Sequence, residues 1–250
     1  MRADEFLFIN GFFDSRTKAK QAIGDGNVFI DGEILTKPSK EITGKEKITL
    51  KETESFVSLG GYKLAKALDD FRFDVNGLTV ADIGASTGGF TDCLLKRGAK
   101  KVYAVDLNDD LLHTSLKFDD RVIMIVKNAK DLSACDFEKV DLLTADLSFI
   151  SAKSVLQVFY GLVKDGGNII LLIKPQFEIG EKRKFKNGII KDGTIRKNVC
   201  RSVYDCAVEI GFLPLKMTTA PIKEDKNVEY LFLLGKNTGK AQNFEQLFIF

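Results

Sequence analysis

VADIGASTGGFTD, residues 80–92, joins the end of an apolar strand to the start of a helix through a turn with glycines at 84, 88 and 89. Glycine there lets backbone approach a ligand closely, and the helix that begins near Phe90 offers free N–H groups at its N-terminus. The spacing is not G-x-G-x-x-G and lacks GK[ST], so pyrophosphate and P-loop readings are weak. Asp82, just before the first glycine, would repel a phosphate and suits a ligand with a cationic amino group. A second strand ends in YAVDLN (103–108), which puts Asp106 where a carboxylate can take a ribose diol at the carboxyl edge of a parallel sheet. An ammonium at one end and a ribose at the other describe S-adenosylmethionine. The plain alternative is a tight strand-to-helix turn with no ligand.

Strands and helices alternate around this turn. Apolar strands are expected at Leu78–Ile83, Val102–Leu107, Val122–Val126, Val140–Ala145, Ile169–Ile173, Phe212–Met217 and Val228–Leu234. Amphipathic helices are expected over 62–72, 89–97, 152–163 and 195–210. The pattern predicts an α/β, doubly wound sheet of seven mostly parallel strands. Met217 to Val228 leaves no room for a helix, so the last strand should run antiparallel to its predecessor.

Residues 1–48 are built differently, as a small α+β module. A helical pattern runs from Arg2 to Asn10 and a second from Thr17 to Gly24, with Ser15 as its N-cap. Short strands follow at VFI (28–30), EIL (33–35) and Lys45 to Leu50, and Asp31-Gly32 signals a tight hairpin. A polar linker (49–60), a main domain (61–236) and a tail (237–250), helical or extended, complete the expected organisation.

The chain has 250 residues, 44% of them apolar and 29% charged, which suits an ordinary globular protein. No apolar run reaches the roughly 18–20 residues needed to span a bilayer. Acids within the first five residues and no small-residue cleavage site argue against a signal peptide, so a cytoplasmic protein without membrane association is expected. Thirty-seven basic against 35 acidic residues leave a net charge of +2, so any nucleic-acid surface must come from how the charge is distributed. Cys93, Cys135, Cys200 and Cys206 form no CxxC pair, and His113 is the one histidine, so no metal site is expected. Catalysis by a Ser-His-Asp or Cys-His group is equally disfavoured. Chemistry must run on lysines, carboxylates and backbone.

Asp146 in LLTADLSFIS, Lys174 in IILLIKPQFE and Glu229 in KNVEYLFLL are charges at the ends of, or inside, apolar runs, and Lys63 opens a helix in SLGGYKLAKAL. Such charges cost energy unless paired or functional. Each alone reads as a surface lysine or a strand-end acid; together they fall at the expected ligand edge. Enzymes that methylate an exocyclic base amine commonly carry [DN]-P-P-[YF] where this chain has DLSF, which argues for a hydroxyl acceptor. A ribose 2′-hydroxyl is a poor nucleophile and benefits from a base, and a lysine can serve once burial or neighbouring cations such as Lys63 favour its neutral form. Asp146 and Glu229 would oppose that while orienting the amines.

The blocks GGYKL (60–64), DIGASTGGFTDCLL (82–95), YAVD (103–106), ADLSFIS (145–151), KPQFE (174–178) and NVEYL (227–231) resemble the FtsJ-like Rossmann-fold methyltransferases. The whole chain looks like the TlyA (hemolysin A) family of ribosomal RNA 2′-O-methyltransferases. DSRTKAKQAIGDGNVFIDGEILTKPS (14–39) is similar to the alpha-L RNA-binding module named after the fourth small-subunit ribosomal protein. The resemblance implies S-adenosylmethionine as cofactor, ribosomal RNA or ribosomal subunits as partner, and a catalytic tetrad of Lys63, Asp146, Lys174 and Glu229 with Lys174 as base. It implies a cofactor loop of Asp82, Gly84, Ala85, Ser86, Thr87, Gly88, Gly89 and Phe90. It also implies Asp106 on the ribose, Asn128 beside the adenine, and Asp146 facing the methionine end. Three places depart from the family pattern: Leu59 for an arginine, Asn108 and Leu112 for a glycine and a glutamine, and KEDK (223–226) for a Gly/Pro-rich approach to the final strand. All three leave the tetrad intact.

Over residues 1–60 the count is 9 basic against 10 acidic, yet Arg16, Lys18 and Lys20 cluster on one short helix, with Lys37 and Lys40 past the hairpin. Such a patch can bind a phosphate backbone, and RNA helices are read mostly by shape. A second basic stretch, EKRKFKNGIIKDGTIRK (181–197), places Lys182, Arg183 and Lys184 shortly after Lys174 and suits a loop that closes on RNA. A solvated helix face and an ordinary exposed loop are the competing interpretations. For the whole chain, the competitors are a ribosome-assembly protein with a vestigial methyltransferase fold and a small-molecule O-methyltransferase, which leaves residues 1–48 without a job. A membrane-lytic hemolysin finds no long amphipathic cationic helix here.

Overall fold

Asp31 and Gly32, with φ of 51° and 87°, turn the chain between β1 (Val28–Ile30) and β2 (Glu33–Ile34), the two-residue left-handed geometry that matches strand twist. This hairpin follows α1 (Ala3–Ile9) and α2 (Arg16–Gly24) and is joined by β3 (Ile48–Leu50) in an antiparallel sheet of order β2-β1-β3. Ser15 Oγ accepts from Lys18 N at 3.2 Å, the expected cap of α2. Leu7, Ile23, Val28 and Leu35 are among the residues forming the unit's own small core. The computed structural model describes residues 1–13, 15–24, 26–50, 54–179, 185–221 and 226–249. They divide into this unit, Met1–Ser55, and a larger one, Phe56–Phe250.

The larger unit opens with α3 (Leu59–Phe71), β4 (Thr79–Ile83), α4 (Gly89–Lys96), β5 (Lys101–Asp106), α5 (Thr114–Lys117) and β6 (Val122–Val126). It continues with β7 (Val140–Ala145), α6 (Leu156–Leu162), β8 (Val163–Ile173), α7 (Pro175–Glu178), α8 (Gly193–Ile210), β9 (Phe212–Thr219), β10 (Tyr230–Lys236) and α9 (Phe244–Leu247). The seven strands lie in the order β6-β5-β4-β7-β8-β10-β9, with β10 antiparallel to both of its neighbours. Alternating side chains feed two cores: Val80, Leu142, Ile170 and Leu231 face α3 and α4, whereas Ile83, Leu143, Leu171 and Phe232 pack with Phe159 of α6 and Val203 of α8. Both faces are therefore covered, as a mostly parallel sheet requires.

Several element boundaries differ from expectation, three of them informatively. β8 starts at Val163 instead of Ile169, because Val163 pairs with Val140 before a register shift; its exposed residues 164–166 hide that start from any apolar pattern. β10 starts at Tyr230, so Glu229 stands just before the strand, where its carbonyl accepts from Ala220 N. The tail resolves into α9, closed by an Asn243–Gln246 capping box, with Phe244 and Leu247 buried in the α6–α8 core. Truncating a fully buried phenylalanine leaves a cavity, so Phe244→Ala is expected to cost about 3–5 kcal/mol in urea unfolding. A loss under about 1 kcal/mol would show that the tail adds no stability.

Candidate active site

The strand order reverses at β4, between β5 and β7, which opens a crevice at the carboxyl edge where doubly wound sheets bind ligands. The glycine turn leaves β4 there. Gly84 has φ +82°, and a Cβ on it would lie 2.7 Å from the Asp146 carbonyl oxygen. A Cβ on Gly89 would lie 2.8 Å from Gly61 N, so the two glycine pairs, 60–61 and 88–89, seat α3 against α4. Ser86, also at positive φ (50°), donates its N–H to Asp106 Oδ2 at 2.8 Å, and Leu107 N donates to Oδ1 at 2.7 Å. Asp106 thus holds the turn while standing at the end of β5.

Asp82 differs from its expected role. It is fully buried, with Thr91 Oγ1 at 2.7 Å and Thr144 Oγ1 at 3.0 Å donating to its carboxylate. It braces the turn from within and offers no carboxylate to an ammonium in solvent; the half-buried carboxylates beside the turn are those of Asp106 and Asp146. Burial pushes the Asp82 carboxyl up to about 6, Thr91 and Thr144 pull the other way, and the Asp146 charge adds to the rise. Because the folded value lies above the unfolded one, the stability this group contributes is full below about pH 4 and is lost as pH rises through about 6. Linkage makes that loss about 3 kcal/mol. Urea unfolding from pH 4 to 8 should show this slope in the wild type and a flatter profile in Asp82→Asn; identical slopes would refute the assignment.

The four tetrad side chains meet. Lys174 Nζ lies 2.5 Å from Asp146 Oδ1, an ion pair without hydrogen-bond alignment, and donates to Ser148 Oγ at 2.8 Å. Lys63 Nζ lies 2.6 Å from Glu229 Oε2 and 3.9 Å from Asp146 Oδ2. Asp146 follows β7, Lys174 follows β8, Glu229 precedes β10 and Lys63 projects from α3, so three adjacent strands and one helix supply the set. A cavity of about 170 Å³ opens beside them, lined by Ala85, Ser86, Phe90, Asp146, Ser148 and Lys174, with Ser58 and Gly60 at the same cavity. Its glycine-lined wall and carboxylate fit an amino-acid end, and Asp106 beyond Ser86 fits a diol.

Of the other expected cofactor residues, Thr87 carries the carbonyl that accepts His113 N at 3.2 Å, and Gly88 packs against Leu112 and Leu116. Leu112 is buried there, so that departure from the family pattern fills the support of the turn. Asn108 caps a short turn through Asp110 N at 2.9 Å, and Leu59 is exposed at the start of α3. Asn128 lies just beyond β6 at the same sheet edge, accepting from Lys130 N, and is outside the cavity lining. Ser58, Gly60 and Ser148 were not legible as site residues, since hydroxyls and glycines near a turn carry no distinguishing pattern. Phe149 is the other addition: 87% exposed at φ +66°, its ring 5.0 Å from Phe177. A strained, exposed aromatic is a costly feature that function commonly explains.

In the smaller unit, the fully buried Asp4 carboxylate gathers Arg2 Nε at 3.0 Å, an Arg16 Nη at 3.2 Å and Lys20 Nζ at 3.8 Å. The Arg2 and Arg16 hydrogen bonds hold the Asp4 carboxyl down to about 2 against its burial. Arg2 pairs with Asp4 only two residues on, and it joins the cluster because Arg16 and Lys20 reach the same carboxylate from α2. Lys18 departs from the expected cluster: at 3.6 residues per turn it points roughly 200° from Arg16, whereas Lys20 shares the Arg16 face. The turn carrying Lys37 and Lys40 is tied to the start of α1 by Asp4 N to Pro38 O and Ala3 N to Lys40 O. Lys182, Arg183 and Lys184 lie outside the described residues. No metal-holding group of three His, Cys, Asp or Glu occurs among the described residues.

The sheet order, the glycine turn and the carboxylates at the switch point define a Rossmann-like methyltransferase fold. The chain belongs to the FtsJ-like methyltransferase family, which it matches over residues 56–237; residues 1–48 match the S4 domain. It is 38% identical to Hemolysin A of Brachyspira hyodysenteriae, over 92% of this chain and 98% of that one. It is 36% identical to the 16S/23S rRNA (cytidine-2′-O)-methyltransferase TlyA of Mycobacterium tuberculosis, over 96% and 91% respectively. A solved Streptococcus thermophilus protein, provisionally called a hemolysin, superposes with a TM-score of 0.72 at 36% identity, covering 99% of this chain and 94% of that one.

Proposed function

We propose that this enzyme transfers the methyl group of S-adenosylmethionine to a ribose 2′-hydroxyl of ribosomal RNA, with Lys174 as general base. The observation that carries this is the joining of Lys63, Asp146, Lys174 and Glu229 by ion pairs, with Asp146 and Lys174 lining the cavity beside the glycine turn. When bound, S-adenosylmethionine supplies a methyl group on a sulfonium sulfur, which keeps the C–S electron pair as the new O–C bond forms. Ser148 Oγ accepts one hydrogen of the Lys174 amine and Asp146 stands beside another, so the neutral amine has its lone pair free for the hydroxyl proton. Lys63 lies between Glu229 and Asp146, so the Asp146 carboxylate is shared by the two lysines.

The Mycobacterium tuberculosis relative is named for 2′-O-methylation of cytidine in rRNA, and the S4 match and the cation cluster on Asp4 suit an RNA partner. Residues 1–48 would bind RNA through Arg16, Lys20, Lys37 and Lys40, with Arg2 added. Residues 61–236 would catalyse, and the tail would support the sheet. Phe149 would offer a face for a base to stack on. Such a substrate places the enzyme with ribosomes in the cytoplasm. No described helix is long and apolar enough to cross a membrane.

The test is methyl transfer from labelled S-adenosylmethionine to unmodified bacterial rRNA and to isolated ribosomal subunits, followed by digestion to nucleosides. Label in a 2′-O-methyl nucleoside is expected. Label only in base-methylated nucleosides would overturn the hydroxyl acceptor, and no cofactor binding would overturn the enzymatic proposal.

A further inference from the structure

Two segments leave the carboxyl edge of the sheet side by side. Residues 146–151 follow β7 and carry Asp146, Ser148 and Phe149; residues 174–178 follow β8 and carry Lys174 and Phe177. The first segment packs Leu147 and Ile150 against the core, but little backbone hydrogen bonding holds its shape. Asp146 N donates to Ile83 O at 3.1 Å, but among the described residues the amides of 147–150 have no partner in the chain. Phe149 sits in the left-handed region that a bulky side chain avoids. Something must over-determine this conformation.

Glu178 does so. Its Oε1 accepts the N–H of Ala152 at 2.6 Å and its Oε2 accepts the Ser151 hydroxyl at 2.5 Å. The same Ser151 Oγ opens a short turn by accepting from Lys153 N at 3.3 Å. The two segments are thus cross-tied twice, by Lys174 to Asp146 and Ser148 at the cavity, and by Glu178 to Ser151 and Ala152 at the far end. Charge-assisted bonds of this length are among the stronger ones a side chain makes. We propose that Glu178 is a positioning residue of methyl transfer: it anchors the 146–151 segment so that Ser148 and Asp146 hold the Lys174 amine in place. This rests on Lys174 being the base.

Misplacing a reacting group by about 1 Å can cost on the order of 100-fold. Glu178→Ala is therefore expected to lower kcat by about 10–100-fold with KM for S-adenosylmethionine little changed, and to speed amide hydrogen exchange at Ala152 and Lys153. Glu178→Gln keeps an acceptor for Ala152 N and a partner for Ser151 and should remain within about threefold of wild type. Ser151→Ala removes one of the two bonds without touching Glu178 and should show a smaller loss of the same kind, even if Glu178→Ala fails to fold. Combined with Ser148→Ala, the Glu178→Ala loss should be less than additive, because both act on one amine. Unchanged exchange at Ala152 and Lys153, unchanged kcat in Glu178→Ala, or a glutamine variant as impaired as the alanine one would each overturn the proposal. A wild-type enzyme without ribose methylation would instead overturn the base assignment, while the exchange data still report the anchor.

Discussion

Lys174→Ala is expected to lower ribose methylation by on the order of 10²–10⁴-fold, the usual contribution of a positioned acid or base, with S-adenosylmethionine affinity nearly intact. The split follows from where the side chain acts. Lys174 lines the cavity from the end of β8 and is held by Asp146 and Ser148, outside the glycine turn, so its loss removes a proton acceptor and leaves the turn unchanged. A base contributes to the transition state more than to ground-state binding, so kcat should fall and KM should not. Lys174→Arg should fail as well, since a guanidinium stays charged and has no lone pair to offer. Single-turnover methylation with equilibrium cofactor binding separates the two effects. Near-normal turnover in the alanine variant would remove Lys174 from the mechanism.

Gly84→Ala should be the most damaging of the conservative changes in the glycine turn. Its φ of +82° is unfavourable for any L side chain, and its Cβ would meet the Asp146 carbonyl oxygen at 2.7 Å, a backbone atom that cannot rotate away. Strain and crowding together should cost about 2–4 kcal/mol, a fall in Tm of roughly 5–15 °C. Relieving the crowding pushes the turn away from the segment after β7, which moves Asp146, so cofactor affinity should fall more than about tenfold. Gly166→Ala is the control: φ is +85° there too, but nothing lies within 4 Å of the added carbon. If the two variants melt alike and bind cofactor alike, crowding at Gly84 has no part in the site.

Much of this was legible in the sequence because local signals agreed with the fold. The glycine turn, the strand-end positions of Asp106, Asp146 and Lys174, and the antiparallel last strand all follow from period and spacing. The role of Asp82 did not. β4 is buried on both faces, so alternation cannot say whether its carboxylate looks toward solvent or toward Thr91 and Thr144. The first half of β8 was hidden by its exposed polar residues, and Glu178 by the absence of any sequence pattern linking it to Ser151. Helical period sets Lys18 on a different face of α2 from Arg16 and Lys20. Arg2 stands two residues from Asp4, but that Arg16 and Lys20 share the same buried carboxylate is set by the packing of α1 on α2, which no sequence pattern shows.

The insertion of β10 between β8 and β9 also sets an order of assembly. During synthesis β8 emerges long before its partner, and its outer edge has no neighbour until the last strand is made. Contacts so distant in sequence form late, because loop closure precedes any gain from pairing. Glu229, the partner of Lys63, arrives with that strand. A nascent chain that has built the glycine turn and Lys174 therefore still lacks a closed sheet and a complete tetrad. Catalytic competence is withheld until β10 has left the ribosome.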